Sequence, residues 1–408
     1  MSNPEQSRRD FLKFMGLTSA GMLGAGSLAA CTRKTADKDD DQSNQEGSSR
    51  KLSKKALKIG YLPITDAGPL LVAHGKGYYE EEGLKVENPY RFRGWSQIAE
   101  AFIARQVDVA HILMPTAIWM RFARDVPVRV VAWNHTDGSA LTVKKDINKV
   151  EDLGGKTVAI PFWYSVHNVV LQELLRENGL KVAQHSRRDP AADEVRLVVM
   201  PPSDMPASLA NDSISGYIVA EPFCAAAEVR DIGKILRFTG DVWRHHACCV
   251  VIMHEDAIKE NPEWAQAVLN ANVRAQKWMR ENREEASILL SEEGKAYLPQ
   301  DLKAIQRTIM HYDHDEYGST GAIQNPEWES ERIDFLPYPF ASYTHALVRF
   351  LKNTYVEGDQ DFLAGLDPEE AHKQLVDDTM VRNAIEAQGG LEAFGLPSSY
   401  LREETFKP

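Results

Sequence analysis

The chain has 408 residues, a net charge of −12, 43% hydrophobic residues and 4 cysteines. Its acidity argues against a nucleic-acid backbone binder and against electrostatic adhesion to an anionic bilayer, since both need a cationic face. So few cysteines rule out a disulfide scaffold, and the apolar content suffices for two lobes or domains.

The chain opens on an address. Ser7-Arg8-Arg9-Asp10-Phe11-Leu12-Lys13 reads as a twin-arginine export signal, and the apolar, glycine-rich run 14–30 ends in Leu28-Ala29-Ala30-Cys31, the pattern of a lipobox. The run is a poor membrane span, so residues 1–30 are expected to be a removable signal peptide, with lipid on Cys31. That places the protein on the outer side of the cytoplasmic membrane, lipid-anchored. Processing removes three cations and two carboxylates, so −12 becomes −13. Cys224, Cys248 and Cys249 then remain, and an odd number cannot all pair. Residues 31–55 are polar and charged, as a disordered tether would be.

From Leu57 strands and helices alternate. Strands are expected over 57–62, 84–92, 107–113, 128–133 and 140–143, with helices over 68–77, 96–105 (capped by Ser96) and 115–124. A second series follows, with strands 156–160, 195–200, 215–219 and 235–238 and helices 165–178, 203–210 and 222–230. A strand over 249–253 precedes helices 262–280, 282–293 and 302–310. The pattern predicts an α/β fold with mostly parallel sheets. Breaks near 141–146 and 239–249 suggest two crossings, giving lobe 1 as 56–143 plus 240–408 and lobe 2 as 144–239.

Ligands of open α/β sheets bind outside the carboxyl ends of strands, here across a cleft between lobes. The strand-end loops carry Asp66, Trp95, Ser139, His167, Glu221 and the run Trp243-Arg244-His245-His246-Ala247-Cys248-Cys249. Trp95 offers a flat wall or a core plug, and His167 a hydrogen bond to ligand or a helix cap. Glu221 touches ligand or ties the lobes together. His245, His246, Cys248 and Cys249 are metal-ligand types, but strand alternation would turn Cys248 and Cys249 to opposite faces, so no metal site and no cofactor are expected. No GxSxG, Walker A or HExxH motif occurs, which argues against an enzyme. The run His311-Tyr312-Asp313-His314-Asp315-Glu316 reads as a solvated loop or helix end.

Residues 57–351 resemble the nitrate/sulfonate/bicarbonate class of solute-binding lipoproteins that serve ABC importers. The resemblance rests on Gly60-Tyr61-Leu62-Pro63-Ile64-Thr65-Asp66-Ala67-Gly68-Pro69-Leu70, Gly75-Lys76-Gly77-Tyr78-Tyr79, Gly94-Trp95, Glu221-Pro222 and Gly240-Asp241-Val242-Trp243. It implies a two-lobed, type II periplasmic-binding-protein fold, with Trp95, Ser139, His167, Glu221 and Cys249 around a small solute. It also implies permease and ATPase partners, no nucleic acid, and a monomer. A long amide is expected where Ser139 stands and a lysine where Cys249 stands. Losing that lysine removes a counter-charge for an anion, which Arg93 or Arg244 would have to replace. A sulfonate, a cyanate-like compound or a pyrimidine precursor then competes with nitrate and bicarbonate as the solute. The alternatives are a synthase-like metal enzyme of the same fold using His245, His246, Cys248 and Cys249, and a sensor without transport.

Overall fold

A computed structural model describes residues 55–184, 189–328 and 331–408. The export signal, Cys31 and all but the last residue of the tether lie outside the described residues. The chain enters through β1 (Ile59–Tyr61), β2 (Tyr90–Arg91), β3 (Val109–Leu113) and β4 (Val128–Trp133). It crosses at β5 (Thr136–Asp137) into β6 (Ser139–Val143), β7 (Thr157–Ile160), β8 (Lys181–Val182), β9 (Glu194–Val199), β10 (Gly216–Ala220) and β11 (Lys234–Phe238). It returns as β12 (Cys249–His254), and β13 (Ile333–Asp334) pairs with β5. Among the described residues two large sheets result, ordered β2-β1-β3-β12-β4 and β11-β6-β10-β7-β9-β8, beside the two-stranded β13-β5 pair.

The antiparallel members explain where the cleft lies. In the first sheet β1 runs parallel to β2 and β3, and β12 runs against β3 and β4. In the second, β7 is parallel to β10 and β9, and β6 runs against β10 and β11. A strand that has just crossed from the other sheet starts at the shared rim, where its neighbours finish. Cys249, first in β12, therefore faces Leu113, last in β3, and Ser139, first in β6, faces Ala220, last in β10. At the crossing itself Gly138 has φ +78, and a Cβ there would stand 2.8 Å from Ile333.

Three expectations change. Residues 140–143 belong to the second sheet, one strand earlier than the 144 boundary, because an apolar run says nothing about which sheet it joins. The strand expected over 84–92 shrinks to β2 and an isolated Leu57–Val86 bridge, since Pro89 has no amide to donate. Ser96 is not a cap. The helix runs Trp95–Ile103 from Gly94, which supplies no side-chain bond. Ser165 does cap the helix Val166–Glu177, accepting from the Asn168 amide.

The long helix Pro262–Glu281 packs against helices Gly68–Gly75 and Thr379–Ala387 on the first sheet's side. The C-terminal segment also laces the second lobe. Tyr355 N–H donates to Gln172 Oε1 at 2.8 Å, and Gln172 Nε2 donates back to Tyr355 O at 2.8 Å. His314–Thr320 forms a helix capped by Asp313. Among the described residues no helix is long and apolar enough to cross a membrane.

Candidate functional site

Polar side chains from both sheets converge where the crossing strands begin. Ser165 caps the helix that carries His167 in its first turn, and this aims the ring at the rim of the second sheet. His167 Nε2 shares a 2.9 Å hydrogen bond with Ser139 Oγ and lies 3.7 Å from Cys248 Sγ, contributed from beside the first sheet. His167, Ser139 and Cys248 are all buried. Thr239 Oγ1 donates to Ser139 O and is bonded to His246 Nε2 at 2.8 Å, so the return loop closes over the same spot.

Behind Cys248 the first lobe supplies a second group. Cys248 Sγ is 3.5 Å from Cys249 Sγ, and Cys249 N–H donates to His135 Nε2 at 3.1 Å. His135 Nε2 also stands 2.9 Å from Asp66 Oδ2. Asp66 sits in the turn after β1, His135 just past β4, and the cysteines at the start of β12, so three strands of one sheet deliver them to the same rim, β1 from across β3. The expected alternation of the two thiols fails because Cys248 precedes the strand, in a bend.

Burial dominates the electrostatics. It raises the Asp66 carboxyl to about 6, even against the pull of His135. It also opposes charge on His135, but the Asp66 carboxylate outweighs it and raises that imidazole to about 10. Burial lowers His111 to about 3, helped by His135, and His246 to about 4. Burial likewise works against a Cys248 thiolate. Hydrogen bonding from Cys249 and the nearby His167 and His135 overcome it, so the Cys248 thiol lies below its ordinary value. Cys249 is pushed up by burial and by its neighbour.

The expected site residues fare differently. Ser139, His167 and Cys249 meet in this cluster. Trp95 is buried at its helix start, and its indole Nε1 has no hydrogen-bond partner among the described residues. Glu221 faces Arg332 instead. Its Oε1 accepts from Arg332 Nε at 2.6 Å and its Oε2 from the Ala225 amide at 2.9 Å. Its carbonyl accepts from Thr65 N–H at 2.9 Å, which ties one lobe to the other. His245 lies partly exposed in a turn with φ 54 and faces Asp137 at 3.5 Å, and His246 is held by Thr239. Arg93 pairs at the surface with Asp204 of the second lobe, and Arg244 is exposed, so neither stands in for the missing lysine. Beside Arg93 a cavity of about 270 Å³ opens between Leu62, Pro202, Asp204 and Phe223. His135 escapes sequence reasoning. Its signal was its place immediately after a strand of the first sheet.

A family model described as the NMT1-like family matches residues 50–291. The nitrate/nitrite binding protein NrtA of Nostoc sp. is 28% identical over 316 residues, covering 70% of each chain. The nitrate import ATP-binding protein NrtC of Synechocystis sp. is 28% identical over 251 residues, 58% of this chain but 37% of that longer one. The crystal structure of the periplasmic nitrate-binding protein NrtA from Synechocystis superposes with a TM-score of 0.68 at 23% identity, covering 86% of this chain and 93% of that one. The fold is that of a two-lobed periplasmic binding protein.

Proposed function

The chain belongs to the NMT1-like family, and from that footing we propose that it is the extracytoplasmic solute receptor of an ABC importer. Its lobes close on one small solute of the nitrate, bicarbonate or sulfonate class and present it to a permease driven by an ATPase. The observation that carries this reading is the meeting of Ser139 and His167 from one lobe with Cys248 from the other, at 2.9 and 3.7 Å. Reversible capture needs only such convergent polar groups and a hinge, and no activated nucleophile. Relatives named as nitrate-binding proteins and as a nitrate-import ATP-binding protein support the assignment. Twin-arginine export and lipid on Cys31 would hold the receptor beside its permease, as a monomer, without nucleic acid. No chemical conversion of the guest is proposed.

Calorimetry and thermal-shift measurements against nitrate, nitrite, cyanate, bicarbonate, sulfonates and pyrimidines test the reading. One of these binds, and His167→Ala or Trp95→Ala weakens it by at least about tenfold, the loss of one hydrogen-bonding or aromatic contact. Silence across the whole panel, or binding indifferent to both substitutions, would refute it.

A further inference from the structure

We propose that Asp66, His135, Cys248 and Cys249 form a binding site for a thiophilic divalent cation of the zinc class. One ligand atom from each lies within 4.8 Å of the other three, and all four residues are fully buried. Two thiolates, an imidazole and a carboxylate are a zinc donor set, and soft sulfur selects against magnesium and calcium. Tetrahedral zinc–sulfur bonds of about 2.3 Å put two sulfurs about 3.8 Å apart. The two thiols already stand 3.5 Å apart.

The arrangement of polar groups also asks for a cation. His135 Nε2 accepts a hydrogen bond from the Cys249 amide, a bond that gives way when that lone pair ligates the ion. Neither Asp66 oxygen meets hydrogen-bond geometry with a donor among the described residues, although Oδ2 is 2.9 Å from that nitrogen. A buried carboxylate facing an imidazole and two thiols needs a proton or a metal ion among them. His135 Nδ1 and both ring nitrogens of His111, 6.2 Å away between ring centroids, are also buried without partners among the described residues. The Glu221–Arg332 pair shows how this chain satisfies a buried carboxylate when it has a side-chain cation to hand. At Asp66 the group to hand is the His135 imidazole, which turns its lone pair to the ion when the site is filled, and the ion then supplies the charge.

The site goes beyond the receptor reading and stands whether or not the lobes carry a solute. It also differs in membership from the His245, His246, Cys248, Cys249 set that the sequence suggested. With His167 of the second lobe 3.7 Å from Cys248 Sγ, a bound ion forms part of the cleft wall.

The test uses the reduced full chain, stripped of metal by chelation. Zn²⁺ is titrated in competition with a chromophoric chelator, and Co²⁺ serves as the spectroscopic probe. One equivalent binds, and Co²⁺ shows a thiolate-to-metal charge-transfer band with the intense visible bands of a tetrahedral site. Outer partners of metal ligands already cost about 10–100-fold in affinity, so Cys248→Ser with Cys249→Ser weakens Zn²⁺ by more than about 100-fold and abolishes the charge-transfer band. His245→Ala leaves both unchanged, and Mg²⁺ does not compete. Should the cysteine variant misfold, X-ray absorption of the Zn²⁺-loaded wild-type chain decides, with two sulfur neighbours expected at about 2.3 Å. Substoichiometric binding, a cobalt spectrum without thiolate character, or a zinc shell without sulfur overturns the proposal. Metal binding without any solute response, or the reverse, separates this site from the receptor reading.

Discussion

A histidine buried without charge contributes stability that depends on pH in a definite direction. His111 is fully buried, and its folded value of about 3 lies below the ordinary 6.5. The unfolded chain therefore takes up a proton that the folded chain refuses as pH falls below 6.5. Stability is lost toward acid at about 1.4 kcal/mol per pH unit for this one group. Urea unfolding at a series of pH values should show His111→Gln with a shallower acid-side slope than wild type by about that amount. Equal slopes would mean that His111 is charged in the folded protein. At the same scale, Glu221 shows why residue type alone does not assign a role. Its position before a proline at a strand end suits a ligand contact as well as a structural pair, and Arg332, 111 positions away, decides for the pair.

At the scale of elements, periodic patterning and caps were legible. The helices beginning after Ser165 and at Pro262, and the strand 128–133, fall where sequence spacing puts them. Short-range chemistry accounts for these, through a side-chain cap, a proline in the first turn and a β-branched run. The lacing of the C-terminal segment onto the second lobe was not legible, because it pairs a helix side chain with the backbone of an irregular stretch. Gln172 makes two reciprocal bonds to Tyr355 and is itself buried. Gln172→Ala should cost about 1–3 kcal/mol, since it strands a buried carbonyl and amide. The Tyr355 amide should exchange its hydrogen faster in that variant, while core amides of β3 keep their protection. An unchanged Tyr355 rate would show that the lacing bonds are not held in solution.

For the whole molecule, the two sheets and their paired crossings define a cleft whose walls share the Ser139–His167–Cys248 contacts. A receptor of this design compacts when its guest binds. Small-angle scattering should therefore show a smaller radius of gyration with the bound solute than without it. A radius unchanged at saturating solute would mean that binding does not move the lobes against each other. The lobe tie between Thr65 and the Glu221 carbonyl, and the Arg93–Asp204 pair at the rim, are among the contacts an opening motion has to break.

By itself the sequence determined the alternation of strands and helices, the strand-end loops that line a cleft, the family resemblance, and the presence of two adjacent thiols at the return crossing. These follow from composition, periodicity and residues close together in the chain. Only the tertiary structure decided that β6 joins the second sheet, that Glu221 is matched by Arg332, and that Asp66 and His135 stand beside Cys248 and Cys249. Those outcomes depend on which strands become neighbours. Antiparallel return strands place side chains from three distant segments on one rim, and no local pattern in the chain encodes that meeting.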